Sequence, residues 1–338
     1  MRNSSRRRAA WCAILAIAAV LIISGCSESE GTGEESDSSA HDRPLVVSTT
    51  TFIGDVVEQV IGDAGKLSIL LPRGANPHSY QPTARDLQTL AEADIVFKNG
   101  LGLEEEFLDD LESVAGGVVV DLSEGIAALE VHRGSSDDHD DDDEDHDDDG
   151  DHDHDGGLDP HVWFNPRNAA IWVSTIADAW DTAGYSVGEE IRARAAQYRD
   201  ELEALDGRIQ AIIEQVPADR RRIVMDHASL LYFAERYGLV IDETLIDGGS
   251  DRAEPSPRDI ARIVEEVRSA GIQTIFVGGT ASEGLSDLAN AVVNEVSSGM
   301  TVTVLLTGSL SESGRRGDSY LDFMQFNAEQ IAKGLSGP

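Results

Sequence analysis

The stretch Leu45-Val46-Val47-Ser48-Thr49-Thr50 reads as a strand and passes directly into a helix over about 52–61. The same alternation continues. Leu67-Ser68-Ile69-Leu70-Leu71 is a second strand, followed by a loop and a helix over about 84–93. Ile95-Val96-Phe97-Lys98 and Val118-Val119-Val120-Asp121 are two more, with a helix expected between them over 104–113. A second set begins at Ile223-Val224-Met225-Asp226 and runs through Leu239-Val240-Ile241, Thr274-Ile275-Phe276-Val277 and Val302-Thr303-Val304-Leu305-Leu306. Helices over about 230–237, 257–270, 284–296 and 320–335 intervene. Strand-helix alternation on this scale means parallel sheets covered on both faces. The fold class is therefore α/β, with two similar lobes built on mainly parallel four-stranded sheets.

Between the two sets lies a helical region at 167–217, which divides an N-terminal lobe at 44–166 from a C-terminal lobe at 218–338. One helix covers 168–182 and ends near Gly184; the other covers 186–216 with no internal proline. Ile191, Ala195, Tyr198, Leu202, Leu205, Ile209, Ile212 and Val216 recur in steps of four and three, which gives one apolar seam along the whole element. At about 1.5 Å per residue it spans roughly 45 Å, long enough to join both lobes as a rigid strut.

The chain opens on Arg2-Asn3-Ser4-Ser5-Arg6-Arg7-Arg8, runs apolar from Ala9 to Ile23, and reaches Ser24-Gly25-Cys26. A basic start, a short apolar run and small residues at the break describe an export signal over 1–25. The apolar run is short for a membrane span. Cys26 directly after Ser24-Gly25 resembles a bacterial lipobox, with cleavage before Cys26 and lipidation of its thiol. The other cysteine, Cys12, leaves with the signal, so the exported chain has no disulfide. Residues 26–43 are rich in Ser, Glu and Gly and read as a flexible tether. The net charge of -37 repels phosphates and excludes nucleic acid as a partner.

Much of that charge lies at 137–155, a nearly unbroken acidic run that contains His139, His146, His152 and His154. Such a run cannot bury apolar surface and repels itself, so 135–156 is expected to be a disordered, solvated loop. Imidazole beside carboxylate with no Lys or Arg to neutralise it is also a loose metal-collecting composition.

Three further histidines stand apart. His78 lies in Asn76-Pro77-His78, past the second strand; His161 follows Asp159-Pro160; His227 follows the strand at 223–226 and is expected to open a helix. Ligands of open α/β sheets gather outside the carboxyl ends of strands, and all three are expected there. Two share an Asn/Asp-Pro-His setting, in which Pro stiffens the chain before the ring. Three converging neutral imidazoles make most of a tetrahedral Zn²⁺ site.

The lipobox, Asn76-Pro77-His78-Ser79-Tyr80-Gln81-Pro82 and Asp159-Pro160-His161-Val162-Trp163 together resemble the substrate-binding lipoproteins of bacterial ABC importers for zinc and manganese. His227 through Tyr232-Phe233 to Tyr237-Gly238-Leu239, Glu254-Pro255-Ser256 and Gly317-Asp318-Ser319-Tyr320-Leu321 continue the likeness in order. The resemblance implies two α/β lobes joined by one long helix, with the metal in the cleft between them. It makes His78, His161 and His227 the metal ligands, Zn²⁺ or Mn²⁺ the cargo, and an ABC permease the partner. It places the protein outside the cytoplasm, anchored to the cell membrane through Cys26, and fits a monomer. A His at the third position and an acidic His-rich loop before the second resemble the zinc branch; manganese members typically carry Glu at the third. One departure stands out. Where the family often has an Asp ligand near the last strand, this chain reads Leu306-Thr307-Gly308-Ser309, so the fourth position falls to water or to a carboxylate such as Asp226.

Three His and a water is also the plan of a zinc-dependent hydrolase, the competing class. Against it, the sequence holds no His-Glu-x-x-His, Gly-x-Ser-x-Gly or P-loop pattern. Deleting 137–155 separates the two metal-binding parts. Calorimetric zinc titration of the intact chain should give one tight event and weaker ones, and the deletion should remove only the weaker ones. Loss of the tight event would show that the acidic loop supplies a ligand to it.

Overall fold

The computed structural model describes residues 43–108, 110–131, 157–245, 257–296 and 300–337. The expected leader, Cys26, the tether up to residue 42, and His139, His146, His152 and His154 lie outside them.

Strand β1 (Leu45–Ser48) leads into α1 (Thr51–Ile61), whose first turn is closed by the Thr50 hydroxyl accepting from the Ile53 N–H. Next come β2 (Lys66–Ile69), α2 (Ala84–Glu92), β3 (Ile95–Lys98), α3 (Leu111–Val114) and β4 (Val118–Asp121). Thr83 and Asp86 form a reciprocal capping box at the start of α2. Two helices follow: α4 (Pro166–Thr182), capped by Asn165 with Pro166 in its first turn, and α5 (Glu189–Ile213). The second set is β5 (Arg222–Met225), α6 (Leu231–Tyr237), β6 (Val240–Thr244), α7 (Pro257–Ala270), β7 (Thr274–Gly278), α8 (Glu283–Val296), β8 (Thr301–Leu305) and α9 (Tyr320–Ser336).

The two expected parallel sheets are present. Their strand orders, β2-β1-β3-β4 and β6-β5-β7-β8, repeat one topology. In each, the first strand of the set lies inside the sheet, and the chain reverses its winding direction beside it, which opens a crevice at the carboxyl ends. Side chains alternate across both sheets. Val46, Ile95, Phe97, Ile223, Met225 and Phe276 face a continuous core shared with α1, α4, α5, α6 and α9. Val47 and Val96 face a smaller cluster under α2 and α3. Val224, Ile275 and Val277 face another under α7 and α8.

Several expected boundaries move. The helix expected over 104–113 is a 3₁₀ turn at Glu104–Glu106 and the single turn of α3. Glu104 is buried and accepts from Thr49 Oγ1 and from the N–H groups of Asn99 and Gly100, so its carboxylate ties the loop after β3 instead of facing solvent. The long helix is three residues shorter at each end than expected. Its seam also differs: Ile213 is fully buried where Ile212 was expected, and Asp206 is buried among the apolar positions. Asp206 is tolerated because Arg236 (2.5 Å), Tyr237 (3.0 Å) and Arg167 (3.3 Å) all donate to it. These donors fasten α4 and α6 to α5. No helix among the described residues is long and apolar enough to cross a membrane.

Asp55 on α1 joins the first and last helices. It accepts from the Tyr320 N–H at 3.1 Å and faces Tyr198 Oη of α5 at 3.3 Å. Burial pushes its carboxyl from 3.8 up to about 6, against the two hydrogen bonds that lower it. The folded chain thus holds this proton more tightly than the unfolded one. The associated stability is fully present below pH 3.8 and is lost as pH rises through about 6. Glu104, raised by burial to about 6, acts in the same direction. Asp55→Asn should flatten part of the stability decline between pH 4 and 7, by roughly 3 kcal/mol at most. Urea unfolding across that range measures it, and an unchanged slope would exclude Asp55 as a contributor.

Candidate metal centre

His78 lies in a 3₁₀ turn, Pro77–Ser79, beyond the carboxyl end of β2. The Asn76 side chain caps this turn by accepting from the His78 N–H at 2.9 Å, and its amide donates to the Thr280 carbonyl of the C-terminal lobe at 3.2 Å. His227 follows β5 after a single residue, Asp226. It does not open a helix as expected; α6 begins four residues later, at Leu231. The side chain of the intervening strand-end residue, Asp226, accepts from the His227 N–H and contacts its ring nitrogen, which turns the chain locally.

His161 is placed differently from the expectation, at no strand end. It caps a 3₁₀ turn, Val162–Phe164, that leads into α4. Backbone pairing brings it back to the first lobe: Val131 N–H donates to Gly157, Glu130 and Leu158 form an antiparallel bridge, and Asp159 N–H donates to Leu129. Residues 129–131 and 157–159, on either side of the acidic segment, are thereby fastened together a few residues from His161. Asn99 Nδ2 donates to the Pro160 carbonyl and Tyr232 Oη to the Asp159 carbonyl, at 2.9 and 3.0 Å. Trp163, stacked on Phe52 with ring centroids 4.8 Å apart, holds the turn from below.

The structure thus brings His78, His161 and His227 together. Their rings form a near-equilateral triangle with centroids 5.2, 5.4 and 5.5 Å apart. One nitrogen from each lies within 4.8 Å of the others, and all three residues are buried. His78 Nε2 and His161 Nε2 are 3.1 Å apart. Behind two of the rings stands a carboxylate: Asp159 Oδ1 is 2.6 Å from His161 Nδ1, and Asp226 Oδ1 is 3.1 Å from His227 Nδ1. A carboxylate on Nδ1 fixes the proton there and leaves Nε2 with its lone pair for a cation.

The two carboxylates differ. Burial pushes the Asp159 carboxyl up to about 7, although the His161 N–H and the nearness of His227 and His78 pull it down. Its Oδ2 has no hydrogen-bond partner among the described residues. For Asp226, burial also raises the pKa, but His227 and the N–H groups of Gly278 and His227 outweigh it and hold the carboxyl below its usual range. Asp226, weighed for the fourth position, has Oδ1 directed at His227 and Oδ2 accepting from Gly278 N–H at 2.7 Å. Its place is behind the ring. The supporting roles of Asp159 and Asp226 escaped sequence reasoning, although the adjacency of acid and His was visible in both motifs.

Three neutral nitrogens in a buried pocket suit a divalent cation of intermediate softness. A sequence model of the family described as "ZnuA: Zinc-uptake complex component A periplasmic" matches residues 46–334. The manganese-binding lipoprotein MntA of Halalkalibacterium halodurans is 29% identical over 318 residues, covering 94% of this chain and 95% of the relative. The manganese ABC transporter substrate-binding lipoprotein PsaA of Streptococcus pneumoniae is 24% identical, covering 96% and 97%. Among solved structures, the periplasmic zinc-binding protein TroA from Treponema pallidum superposes with a TM-score of 0.73 at 24% identity, covering 87% of this chain and 99% of that one. The Mn-bound periplasmic metal-binding protein from Candidatus Liberibacter asiaticus gives 0.70 at 24% identity, covering 86% and 99%. At these identities the structures establish the fold.

Replacing Asp226 by Asn keeps its shape and removes its charge. Because second partners of this kind tune ligand basicity and orientation, zinc affinity should fall about 10–100-fold with the circular dichroism spectrum unchanged. Calorimetry checks it; wild-type affinity would mean that packing alone orients His227.

Proposed function

The chain belongs to the family of periplasmic zinc-uptake component A proteins, and on that premise we propose that it captures Zn²⁺ through His78, His161 and His227 and surrenders it to the permease of an ABC importer. At the level of the family, the protein is an extracytoplasmic, membrane-anchored metal-binding receptor of an ABC transporter and not an enzyme. The proposal adds the ion, the three ligands, attachment through a lipid on Cys26, and action as a monomer.

The observation that carries it is the convergence of three buried imidazole nitrogens within 4.8 Å, with no carboxylate among them. Imidazole is an ordinary Zn²⁺ ligand, whereas Mn²⁺ favours oxygen. The negative charge that a dication needs comes from behind the rings, from Asp226 and Asp159. The acidic His-rich segment, with His139, His146, His152 and His154, would attract cations to a site only a few residues from its end, an effect that salt weakens.

A manganese carrier of the same fold is the second reading, favoured by the names of relatives such as MntA and PsaA. Competition calorimetry decides between them. Zinc should bind more tightly than manganese, and His161→Ala or His227→Ala should abolish tight zinc binding while circular dichroism stays near native. Affinity should fall as pH drops through about 6 to 7, because imidazole must be neutral to ligate. Tighter manganese than zinc, or unchanged affinity in either variant, would sink the zinc reading.

A further inference from the structure

The segment after β8, Leu306 to Ser311, touches the supports of all three histidines. Thr307 accepts through its carbonyl from Trp163 Nε1 at 3.2 Å, two residues from His161. The Thr307 hydroxyl fills the space beside Gly278 where a Cβ would stand, and Gly278 N–H holds Asp226 behind His227. Gly308 faces the turn that carries His78. A Cβ built on Gly308 would lie 2.7 Å from Pro77 Cδ, 2.7 Å from Thr280 Oγ1 and 3.4 Å from the Ala75 carbonyl oxygen. The first two are closer than a Cβ comes to other heavy atoms in folded proteins, and Pro77 has a ring that cannot rotate out of the way.

Around this contact the lobes are clasped by hydrogen bonds that each use at least one backbone group. Leu310 N–H donates to Thr51 Oγ1 at 2.8 Å, and Gly74 N–H to the Leu310 carbonyl at 3.3 Å. Arg73 Nη1 donates to the carbonyls of Ser311 and Asp318, each at 2.7 Å. The clasp ties residues just before Pro77 to residues just after Gly308, so the turn cannot shift to admit a side chain without straining these bonds.

We propose that Gly308 is a positioning and specificity-determining residue. Its bare Cα lets the His78 turn seat on the C-terminal lobe, so no side chain at 308 can serve as a fourth ligand. The inference rests on the metal-capture reading and deepens it. A methyl group at 308 pushes Pro77, and His78 with it, away from His161 and His227. Ligand sites tolerate displacements of only about 0.5 Å before affinity suffers. Because a carboxylate at 308 meets the same obstruction, it does not turn the nitrogen site into one that favours manganese.

Zinc and manganese titrations of the intact protein and of Gly308→Ala, Gly308→Asp and Pro77→Ala/Gly308→Ala test this, with apo melting temperatures as a folding control. Gly308→Ala should weaken zinc at least about 10-fold. Gly308→Asp should weaken it further and leave manganese no tighter than in the parent. Removing the Pro77 ring should make the double variant bind zinc more tightly than Gly308→Ala alone. Parent-like zinc affinity in Gly308→Ala, a gain for either ion in Gly308→Asp, or no recovery in the double variant would each overturn the inference while leaving metal capture intact. If Gly308→Ala melts before titration, a double variant that folds and binds zinc supports the inference, and a double variant that melts as readily overturns it. A parent that binds neither ion overturns the capture reading and this inference together.

Discussion

An imidazole ring can hold a cation only while one of its nitrogens is bare, and here three rings each offer one nitrogen within 4.8 Å of the others. The rest of the structure follows from this constraint. Asp159 and Asp226 fix the outward nitrogens of His161 and His227; Leu129 and Tyr232 hold the backbone of Asp159, and the Gly278 N–H holds the carboxylate of Asp226. His78 is governed differently, by the Asn76 cap and the stiffness of Pro77. One ring therefore depends on the backbone of its turn, while the other two depend on charge.

Bringing these turns together is a task for the helices between the sheets. The seam of α5 packs into the continuous core that reaches the inner faces of both sheets. Asp206 interrupts that seam with a buried carboxylate satisfied by donors from α4 and α6. A buried charge with three donors is geometrically demanding in a way that leucine is not, so it fixes the angle at which those helices meet α5. Asp55 does the same for α1 and α9. The site is thus supported by polar joints set into apolar surfaces, with the greasy area supplying adhesion and the joints supplying register.

Much of this was legible in the sequence, and the misses have physical causes. The eight strands announced themselves because buried parallel strands are continuous β-branched runs, and the Pro-His pairs marked two of the three rings. Periodicity placed α5 but could not decide between Ile212 and Ile213, since drift of about 20° per heptad accumulates to roughly 70° over a helix of 25 residues. The pattern at 104–113 looked helical, yet the Glu104 carboxylate is consumed by backbone N–H groups of the preceding loop, where Leu101 adopts a positive φ of 55°. His161 was misplaced because its position comes from pairing across the acidic segment between residues 25 or more apart, which no local pattern encodes. Gly308 could be read only as a missing ligand; that its bareness is filled by Pro77 required the fold.

The clasp also orders events in time. Leu310 N–H reaches back 259 residues to Thr51, and Tyr320 N–H reaches back 265 to Asp55. Contacts of such separation form late, after the intervening chain has folded and its ends can meet. His78 emerges early, but the surface that seats its turn is among the last parts of the chain to exist. A half-made molecule therefore has scattered imidazoles and no pocket. The pocket is a property of the finished chain alone.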